Sequence, residues 1–329
     1  MKARRELLML IGAGIALLAQ LPVSFAQPKG KLWRIGFLGA TSAASYASRV
    51  EALRAGLREL GYVEGKNITI EFRWADGKYE RLPDLAAELV KLKVDMIVTH
   101  GTPGTRAAKQ ATASIPIVMA ISGDAVATGI VASVARPGGN VTGATFFNPE
   151  LAAKRLEMLK ETLPRATRIA VLLNPDNPIN GPVVREMELT AKVLKLQLEQ
   201  TAVRGAHELA GAIAAMAAKR VDGVAIVDDA MLQANAALVA ELLAKNRLPA
   251  IGQAEFGAAG CLLGYGVNQL DIWRRAAVFV DKIVKGAKPA DLPIERSTQF
   301  ELIANRKTAA ALGITLPQAI LVRAEKVIE

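Results

Sequence analysis

The sequence predicts an α/β fold of two Rossmann-like βα lobes joined by a hinge, and three observations lead to this prediction. Of the 329 residues, 51% are hydrophobic but only 5% are aromatic, a composition that suits short aliphatic strands packed between helices. From residue 31 onward, such strands alternate with stretches of helical periodicity. The alternation starts again near residue 151, and the chain is long enough for two domains.

The first lobe is expected to span residues 31–143. Strands are predicted where short aliphatic runs occur, some of them alternating with polar residues, at 33–38, 68–73, 94–99 and 115–120. Helices are predicted where Leu and Val recur every three or four positions, at 46–60, at 79–92 and after the small-residue loop 100–105. A turn rich in Pro and Gly at 136–140 then leads into an extended segment at 141–143.

The second lobe is expected to span residues 144–261, after a junction near 142–149. Its strands are predicted at 168–173, 196–203, 223–227 and 249–252, and its helices at 151–163, 183–194, 209–219 and in a stretch that ends at Lys245. We expect residues of about 262–287, which include a helix at 270–285, to complete the first lobe. Residues of about 288–329 are expected to complete the second lobe.

Residues 1–26 have the pattern of a cleaved secretory signal peptide. Basic residues among the first five positions precede an apolar stretch at 7–21, and small residues stand at the −3 and −1 positions of a cleavage site after Ala26. A membrane-anchor helix is the alternative, but the apolar stretch stops at Pro22, short of the roughly 20 residues that a span needs. The sequence therefore predicts export to the periplasm with cleavage near Ala26.

Composition and motifs argue against several classes of protein. One cysteine, Cys261, and two histidines, His100 and His207, are too few for a disulfide or a structural zinc site. The net charge of +10 comes from scattered Lys and Arg residues without a dense run, so no nucleic-acid partner is expected. The glycines of segment 61–66 have the wrong spacing for a phosphate loop, and neither a dinucleotide-binding loop nor a Gly-x-Ser-x-Gly elbow occurs. We therefore expect no cofactor, no metal and no catalytic residues.

Short polar residues follow the predicted strands, at the sheet edge where parallel α/β sheets bind ligands. Helix N-termini and hydroxyl groups can bind a carboxylate, and a carboxylate can bind an ammonium group. Each residue alone could equally be a helix cap or a turn former, but together they indicate a site for a small zwitterion. The candidate ligand-binding residues are Ser42, Tyr46, Gly101, Thr102, Ser122, Asp124, Asn174, Asn177, Asp229 and Glu255.

Two features of this region leave alternatives. Asp228 and Asp229 are adjacent, so on a strand their side chains point in opposite directions, and we expect one to face the ligand and the other to be a structural cap. The nearby aromatic residues could pack against an apolar ligand side chain or belong to the core or the hinge. These aromatic residues are Tyr46, Phe146, Phe147 and Tyr265.

Four stretches carry a resemblance to a known family. They are 52–67 (ALRAGLRELGYVEGKN), 136–143 (RPGGNVTG), 273–293 (WRRAAVFVDKIVKGAKPADLP) and 300–313 (FELIANRKTAAALG). In these stretches the chain resembles the ABC-transporter substrate-binding protein family related to TrpX, which has the type I periplasmic-binding fold. The resemblance covers essentially all of residues 31–329.

The resemblance implies a periplasmic receptor that captures a small solute, in some relatives an aromatic amino acid, and delivers it to an ABC permease in the inner membrane. It also implies that the loops at Ser42, Thr102, Asp124, Asn177, Asp229 and Glu255 line the cleft. The chain departs from the family in having Asp124-Ala125 where Asp-Pro is frequent, and Gly260-Cys261 where Gly-Gly is frequent. The first departure alters a loop of the cleft and bears on the ligand class.

We therefore expect a monomeric receptor rather than an enzyme. Its expected ligand is a small polar solute, and an amino acid is the leading candidate. One alternative is an exported enzyme that uses Asp229 or Glu255 together with His100 as acid and base. Another is a ligand-sensing subunit for a membrane sensor. A nucleophile or a metal set in one cleft would favour the enzyme, whereas the sequence alone does not separate transport from sensing.

Overall fold

The structure is a computed structural model that describes residues 31–297 and 299–329, so the predicted signal peptide lies outside the described residues. The described chain forms thirteen strands and twelve α-helices. The strands are β1 (Trp33–Gly39), β2 (Ile68–Trp74), β3 (Met96–His100), β4 (Ile117–Ser122), β5 (Val141–Thr145), β6 (Arg168–Leu173), β7 (Gln197–Ala202), β8 (Gly223–Ile226), β9 (Ala250–Gly252), β10 (Leu263–Val267), β11 (Glu295–Arg296), β12 (Phe300–Asn305) and β13 (Lys326–Ile328).

Helices connect most of these strands, as the alternating pattern predicts. The helices are α1 (Ala43–Glu59), α2 (Leu82–Lys91), α3 (Gly101–Ala111), α4 (Asn148–Thr162), α5 (Asn180–Leu194), α6 (Leu209–Ala218), α7 (Ala230–Ala234), α8 (Ala236–Lys245), α9 (Ala254–Ala259), α10 (Gln269–Val284), α11 (Arg306–Leu312) and α12 (Gln318–Arg323). α1 begins three residues earlier than predicted, because the Ser42 hydroxyl accepts the N–H of Ser45 and caps the helix there.

The strands form two sheets, one in each lobe, and this confirms the predicted fold class. The first sheet has the order β11-β5-β4-β3-β1-β2, and the second has the order β13-β12-β10-β9-β8-β6-β7. All neighbouring strands are parallel except β10 and β12. In each sheet the strand order reverses beside the first strand, between β1 and β3 and between β6 and β8, and ligands bind at such reversal points in open α/β sheets.

The late segments of the chain are distributed between the lobes differently from our prediction. β10 was expected in the first lobe, but it pairs with β9 and β12 in the second sheet. β11 was expected in the second lobe, but it pairs with β5 in the first sheet. The chain therefore passes between the sheets three times, after β5, after β10 and after β11. Our prediction assigned residues 262–287 to the first lobe and residues 288–329 to the second. It missed these crossings because the sequence of a short strand does not indicate which sheet the strand joins.

Helix α10 completes the first lobe by packing closely against α1. Gly56 of α1 lies so near α10 that a Cβ atom built on it would come within 2.1 Å of the backbone oxygen of Arg274. Trp273 of α10 is completely buried, and its ring lies 5.9 Å from that of Phe37 in β1. The helix is thus fixed to the first sheet by close backbone approach and by aromatic packing.

The two central strands β3 and β4 are buried along their whole length, which explains why they appear in the sequence as largely apolar runs.

Cys261 is also buried, as expected for a small apolar residue, and burial raises the pKa of its thiol to about 12. Among the residues that the structure describes, none of the helices has the length and apolar character needed to cross a membrane.

Gly56 provides a test of the α1–α10 contact. The substitution Gly56→Ala should lower the free energy of unfolding by about 1–3 kcal/mol, because the added methyl group forces the two helices apart. Gly211→Ala is the matched control, since Gly211 lies on α6 with open space around it. This control should raise the free energy of unfolding by up to about 1 kcal/mol through helix propensity. Equal effects of the two substitutions in urea unfolding would contradict the close approach.

Candidate functional site

A small cavity lies where the carboxyl ends of the two sheets face each other. Its lining comes from residues at or just after the ends of three strands of the first sheet, β3, β4 and β5, and of four strands of the second, β6, β8, β9 and β10. The space open to the centre of a water-sized sphere is about 40 Å³, which is room for only a few water molecules. The lining residues used below are His100, Gly101, Thr102, Pro103, Ile121, Ser122, Gly123, Phe146, Asn148, Asn177, Ile179, Asp228, Asp229, Gln233, Gln253 and Gln269.

The first lobe contributes the start of α3 and the end of β4. Gly101 has a φ of +69°, a conformation that favours glycine, and it turns the chain directly from β3 into the helix. Gly123 follows β4, and a Cβ atom built there would lie 3.1 Å from Asn148 and 3.1 Å from Ile179. The absence of a side chain at Gly123 therefore lets the second lobe approach the first.

The second lobe contributes a buried ion pair. Arg155 of α4 donates from one terminal nitrogen to Asp228 Oδ1 at 2.7 Å, and the two side chains are 2% and 4% exposed. Arg155 Nε donates to the backbone oxygen of Tyr265 at 2.6 Å, which holds the guanidinium in place. Burial raises the pKa of Asp228, while the charge of Arg155 opposes that rise. By distance and angle, the second carboxylate oxygen of Asp228 has no hydrogen-bond partner among the described residues, although the Gln253 side chain lies close enough to lower the Asp228 pKa.

Asp229 has a different role, because both of its carboxylate oxygens are already occupied. Oδ1 accepts the N–H groups of Met231 and Leu232 and so caps α7. Oδ2 accepts the hydroxyl of Tyr79 at 2.9 Å and the amide of Asn177 at 3.0 Å. The sequence predicts one cap and one ligand-facing carboxylate. The structure gives the cap to Asp229 and the free oxygen to Asp228, whereas our candidate set contained Asp229.

Several buried polar atoms around the cavity lack a partner within the described part of the chain. Buried polar groups are almost always hydrogen-bonded, so a cluster of unpaired ones indicates a missing polar partner. The unpaired atoms on the cavity wall are His100 Nε2, Ser122 Oγ, Asn148 Oδ1, Asp228 Oδ2, Gln233 Nε2 and Gln253 Oε1.

The His100 side chain lies in a cage of aromatic rings at the end of β3. The Tyr46 ring lies 4.3 Å from it and the Trp273 ring 5.3 Å, and the Tyr46 hydroxyl is 3.3 Å from His100 Nδ1. Burial lowers the pKa of His100 to about 3, and the nearby charge of Arg49 acts in the same direction. His100 is therefore uncharged at neutral pH.

The structure brings half of the predicted site residues to the cavity. These are Gly101, Thr102, Ser122, Asn177 and Asp229. Tyr46 lies behind His100, one layer away from the cavity wall. Ser42 and Asn174 line a separate, wider groove that also contains Tyr79 and Met231.

The other two predicted residues have partners of their own. Asp124 Oδ1 accepts the N–H groups of Val126 and Ala127, so this carboxylate closes a turn. Glu255 lies 3.3 Å from Arg49, outside the cavity lining. A polar residue at a strand end is thus drawn away from the cavity when backbone N–H groups or a charged side chain lie nearer.

The candidate set missed six polar residues of the lining, which are His100, Asn148, Asp228, Gln233, Gln253 and Gln269. Gln253 directly follows β9, so the strand-end rule applies to it as well as to Glu255. Asp228 could have been distinguished from Asp229 by noting that the residue before a helix is its natural cap. Asn148 opens α4 and Gln233 lies one turn inside α7, positions for which the sequence pattern carries no signal.

Direct contacts join the two lobes beside the cavity. The Tyr79 hydroxyl, from the first lobe, donates to Asp229 and accepts the N–H of Met231 at 3.2 Å, both in the second lobe. Burial raises the pKa of Tyr79 and the charge of Asp229 adds to that rise. Arg49 of α1 reaches Glu255 of α9 at 3.3 Å. The lobes are therefore in a closed arrangement.

Two doubly wound lobes that close on a buried polar cavity define a solute-binding protein of the type I periplasmic-binding fold. Residues 35–328 match the protein family described as "ABC transporter substrate binding protein", and the chain belongs to that family. Proteins of this family bind small solutes and work with ABC permeases.

Individual relatives agree with this assignment. The tyrosine-binding protein of Clostridioides difficile (strain R20291) is 28% identical over 259 residues, which are 78% of this chain and 74% of that protein. The crystal structure of an ABC domain in complex with L-Trp from Streptococcus pneumonia has a TM-score of 0.83 and 27% identity, covering 91% of this chain and 100% of that one. A conserved domain protein from Vibrio cholerae has a TM-score of 0.84 and 26% identity, with coverage of 90% and 100%.

The Tyr79–Asp229 contact predicts how easily the lobes separate. Tyr79→Phe should lower the equilibrium constant for closure roughly 10- to 100-fold, because it removes a buried hydrogen bond to a carboxylate. Small-angle X-ray scattering should then give a larger radius of gyration. Tyr62→Phe is the control, since its hydroxyl donates to Asp281 at 2.9 Å within the first lobe. A larger radius in both variants, or in neither, would contradict the assignment.

The lowered pKa of His100 predicts a loss of stability in mild acid. Below about pH 6.5 the unfolded chain binds a proton at this histidine, while the folded protein does not until its pKa of about 3 is reached. Between pH 7.5 and 5.5 this difference should remove about 1.4 kcal/mol of folding free energy.

Urea unfolding at several pH values measures this loss. His100→Gln should weaken the pH dependence by that amount, and His207→Gln, at a side chain that is 82% exposed, is the surface control. The same slope in the wild type and in His100→Gln would show that His100 titrates normally.

Proposed function

We propose that this chain is the exported receptor of an ABC importer and that it holds an α-amino acid, specifically an aromatic one, in the cavity between its lobes. The observation that carries the proposal is the set of unpaired polar atoms on the cavity wall. Their chemistry matches the two charged ends of a zwitterion.

The second lobe has the groups that suit an ammonium. Asp228 Oδ2 and the side-chain oxygens of Gln253 and Asn148 are unpaired acceptors, and an ammonium group has three hydrogens to donate. Asp228 carries the negative charge, and a hydrogen bond between a carboxylate and an ammonium is among the stronger ones in proteins. A ligand can satisfy all three acceptors only if it has several hydrogen-bond donors.

Mainly the first lobe supplies the groups that suit a carboxylate. The Ser122 hydroxyl is unpaired and buried, and Thr102 lies beside it on the first turn of α3. The start of an α-helix favours negative charge through its free N–H groups and its dipole. Gln233 Nε2 adds an unpaired donor from the second lobe.

Apolar residues complete the wall and suit the side chain of the amino acid. Pro103, Ile121, Phe146 and Ile179 line the same cavity. Of the three relatives described above, two have names that mention a ligand, a tyrosine-binding protein and a domain bound to L-Trp, and this supports an aromatic amino acid here. A cavity of about 40 Å³ is too small for such a ligand, so binding requires the lobes to move about the three connections between them. A ligand shifts that equilibrium only by the contacts that one arrangement makes better than the other.

The remaining parts of the proposal follow from the same features. A binding role rather than catalysis is supported because Asp229 is fully hydrogen-bonded and Glu255 pairs with Arg49 outside the cavity. The leader pattern at residues 1–26 supports export to the periplasm, where an inner-membrane permease would receive the solute. We further propose that the protein acts as a monomer and needs no cofactor.

A thermal-shift screen of the mature protein tests the ligand class. The panel contains the twenty amino acids, with tyramine and 3-(4-hydroxyphenyl)propionate as analogues of tyrosine that lack one charged end. An amino acid present at 100 times its dissociation constant should stabilise the protein by about 2.7 kcal/mol, and both analogues should stabilise it less. If no amino acid raises the melting temperature, the amino-acid assignment fails.

Ser122→Ala tests whether the ligand occupies this cavity. Because the Ser122 hydroxyl has no partner in the described part of the chain, its removal should leave the melting temperature of the free protein unchanged or slightly raised. The same change should weaken binding of the amino acid roughly 5- to 20-fold, since a hydrogen bond to a charged group is lost. Ser48→Ala, at an exposed position of α1, is the control for isothermal calorimetry. Unchanged affinity in Ser122→Ala would place the ligand elsewhere.

A further inference from the structure

The Tyr46–His100 pair behind the cavity has a chemistry that the zwitterion argument above does not use. His100 is 5% exposed, lies on the cavity wall, and has a buried Nε2 without a partner in the described residues. Its other ring nitrogen, Nδ1, lies 3.3 Å from the Tyr46 hydroxyl. A neutral imidazole carries one nitrogen-bound proton. If Nδ1 accepts a hydrogen bond from Tyr46, the proton is on Nε2 and Nε2 is a donor; if Nδ1 carries the proton, Nε2 is an acceptor.

The direction of the Tyr46–His100 hydrogen bond follows from the needs of the tyrosine hydroxyl. If His100 Nδ1 carried the proton and donated it, the Tyr46 proton would need another acceptor. By distance and angle, that hydroxyl pairs with His100 Nδ1 within the described residues, and the Thr41 side chain also lies close enough to affect the Tyr46 pKa. If Tyr46 donates to Nδ1, both buried groups are satisfied and the imidazole proton lies on Nε2.

The charges around Tyr46 and His100 agree with this direction. Burial raises the pKa of Tyr46, so the phenol keeps its proton, while Arg49 and a hydrogen bond with Thr41 act in the opposite direction. Burial, together with Arg49, keeps the imidazole uncharged.

We propose that His100 is a ligand-binding residue whose uncharged Nε2–H donates to the carboxylate end of the solute, and that Tyr46 is a positioning residue that fixes this tautomer. The inference rests on the proposed function for the identity of the solute. It adds His100 to the Ser122 side of the cavity, where the donors are. A donor that is held in one tautomer accepts no hydrogen from the ligand, so it selects against ligands that present a hydroxyl proton or an amine there.

Nitrogen NMR tests the tautomer directly, because the chain contains only two histidines. Long-range ¹H–¹⁵N spectra of the ligand-free, ¹⁵N-labelled protein at pH 7 should show His100 with a protonated Nε2 and a bare Nδ1. His207, which is 82% exposed, provides the internal reference for a solvated ring. A proton on Nδ1 of His100, or a charged ring at pH 7, would overturn the inference.

Two tyrosine variants separate a positioning role from a structural one. Tyr46→Phe should move His100 toward a mixture of tautomers and weaken binding of L-tyrosine or L-tryptophan roughly 2- to 10-fold. Tyr62→Phe, which removes another buried tyrosine hydroxyl in the same lobe, should change neither the tautomer nor the affinity. If Tyr46→Phe merely destabilised the fold, the His100 tautomer in the folded protein would stay as in the wild type, and the proposed role of Tyr46 would be wrong.

Addition of the amino acid tests the contact itself. Saturation with L-tyrosine or L-tryptophan should shift the His100 Nε2 resonance and leave that of His207 in place. An unchanged Nε2 resonance in a protein that binds the amino acid would overturn this inference alone. Absence of any amino-acid binding, seen by calorimetry, would instead remove the proposed function on which the ligand assignment depends.

Discussion

The buried ion pair between Arg155 and Asp228 is the interaction on which the rest of the site depends. Taking both charges out of water is expensive, and the attraction between them offsets that cost only when the remaining polar atoms are also satisfied. Here Arg155 Nε is held by the Tyr265 backbone oxygen, but Arg155 Nη2 and Asp228 Oδ2 are both left without a hydrogen-bond partner in the described chain. On the proposed function, the ammonium group of the ligand supplies the partner of Asp228 Oδ2.

The residues of this pair and their backbone partner lie near the connections between the two sheets. Arg155 lies on α4, the first helix after the chain leaves the first sheet, and it reaches Asp228 at the end of β8. Tyr265, its second partner, is on β10, just before the chain returns to the first lobe. The residues that orient the Asp228 carboxylate therefore lie close in the sequence to two of the three connections.

The contacts that close the lobes have a different character from those that meet the ligand. Tyr79 forms hydrogen bonds with Asp229 and Met231. None of the unpaired polar atoms of the cavity takes part in these hydrogen bonds. These contacts are available to the protein whatever the cavity contains, so they set the starting equilibrium between open and closed lobes. On the proposed function, the ligand adds a preference for lobes that are slightly farther apart, because the cavity of this arrangement is too small for an aromatic amino acid. The missing side chain of Gly123 allows the lobes to approach each other this closely, because a Cβ atom there would lie 3.1 Å from both Asn148 and Ile179.

The sequence predicts the fold well and the site in part, and the reason lies in what each depends on. Periodicity and strand-end chemistry are local, so the two lobes and the positions of Thr102, Ser122 and Asn177 follow from short stretches. Asp124 misled the prediction because its nearest donors are the backbone N–H groups of its own turn. Asn148 and Gln233 become site residues only through the way in which the two sheets face each other, and no short stretch records that arrangement. On the proposed function, each lobe carries mainly one half of the zwitterion's complement, donors in the first and acceptors in the second. Neither lobe alone can then satisfy both ends of an amino acid, so full binding and closure of the lobes become a single event.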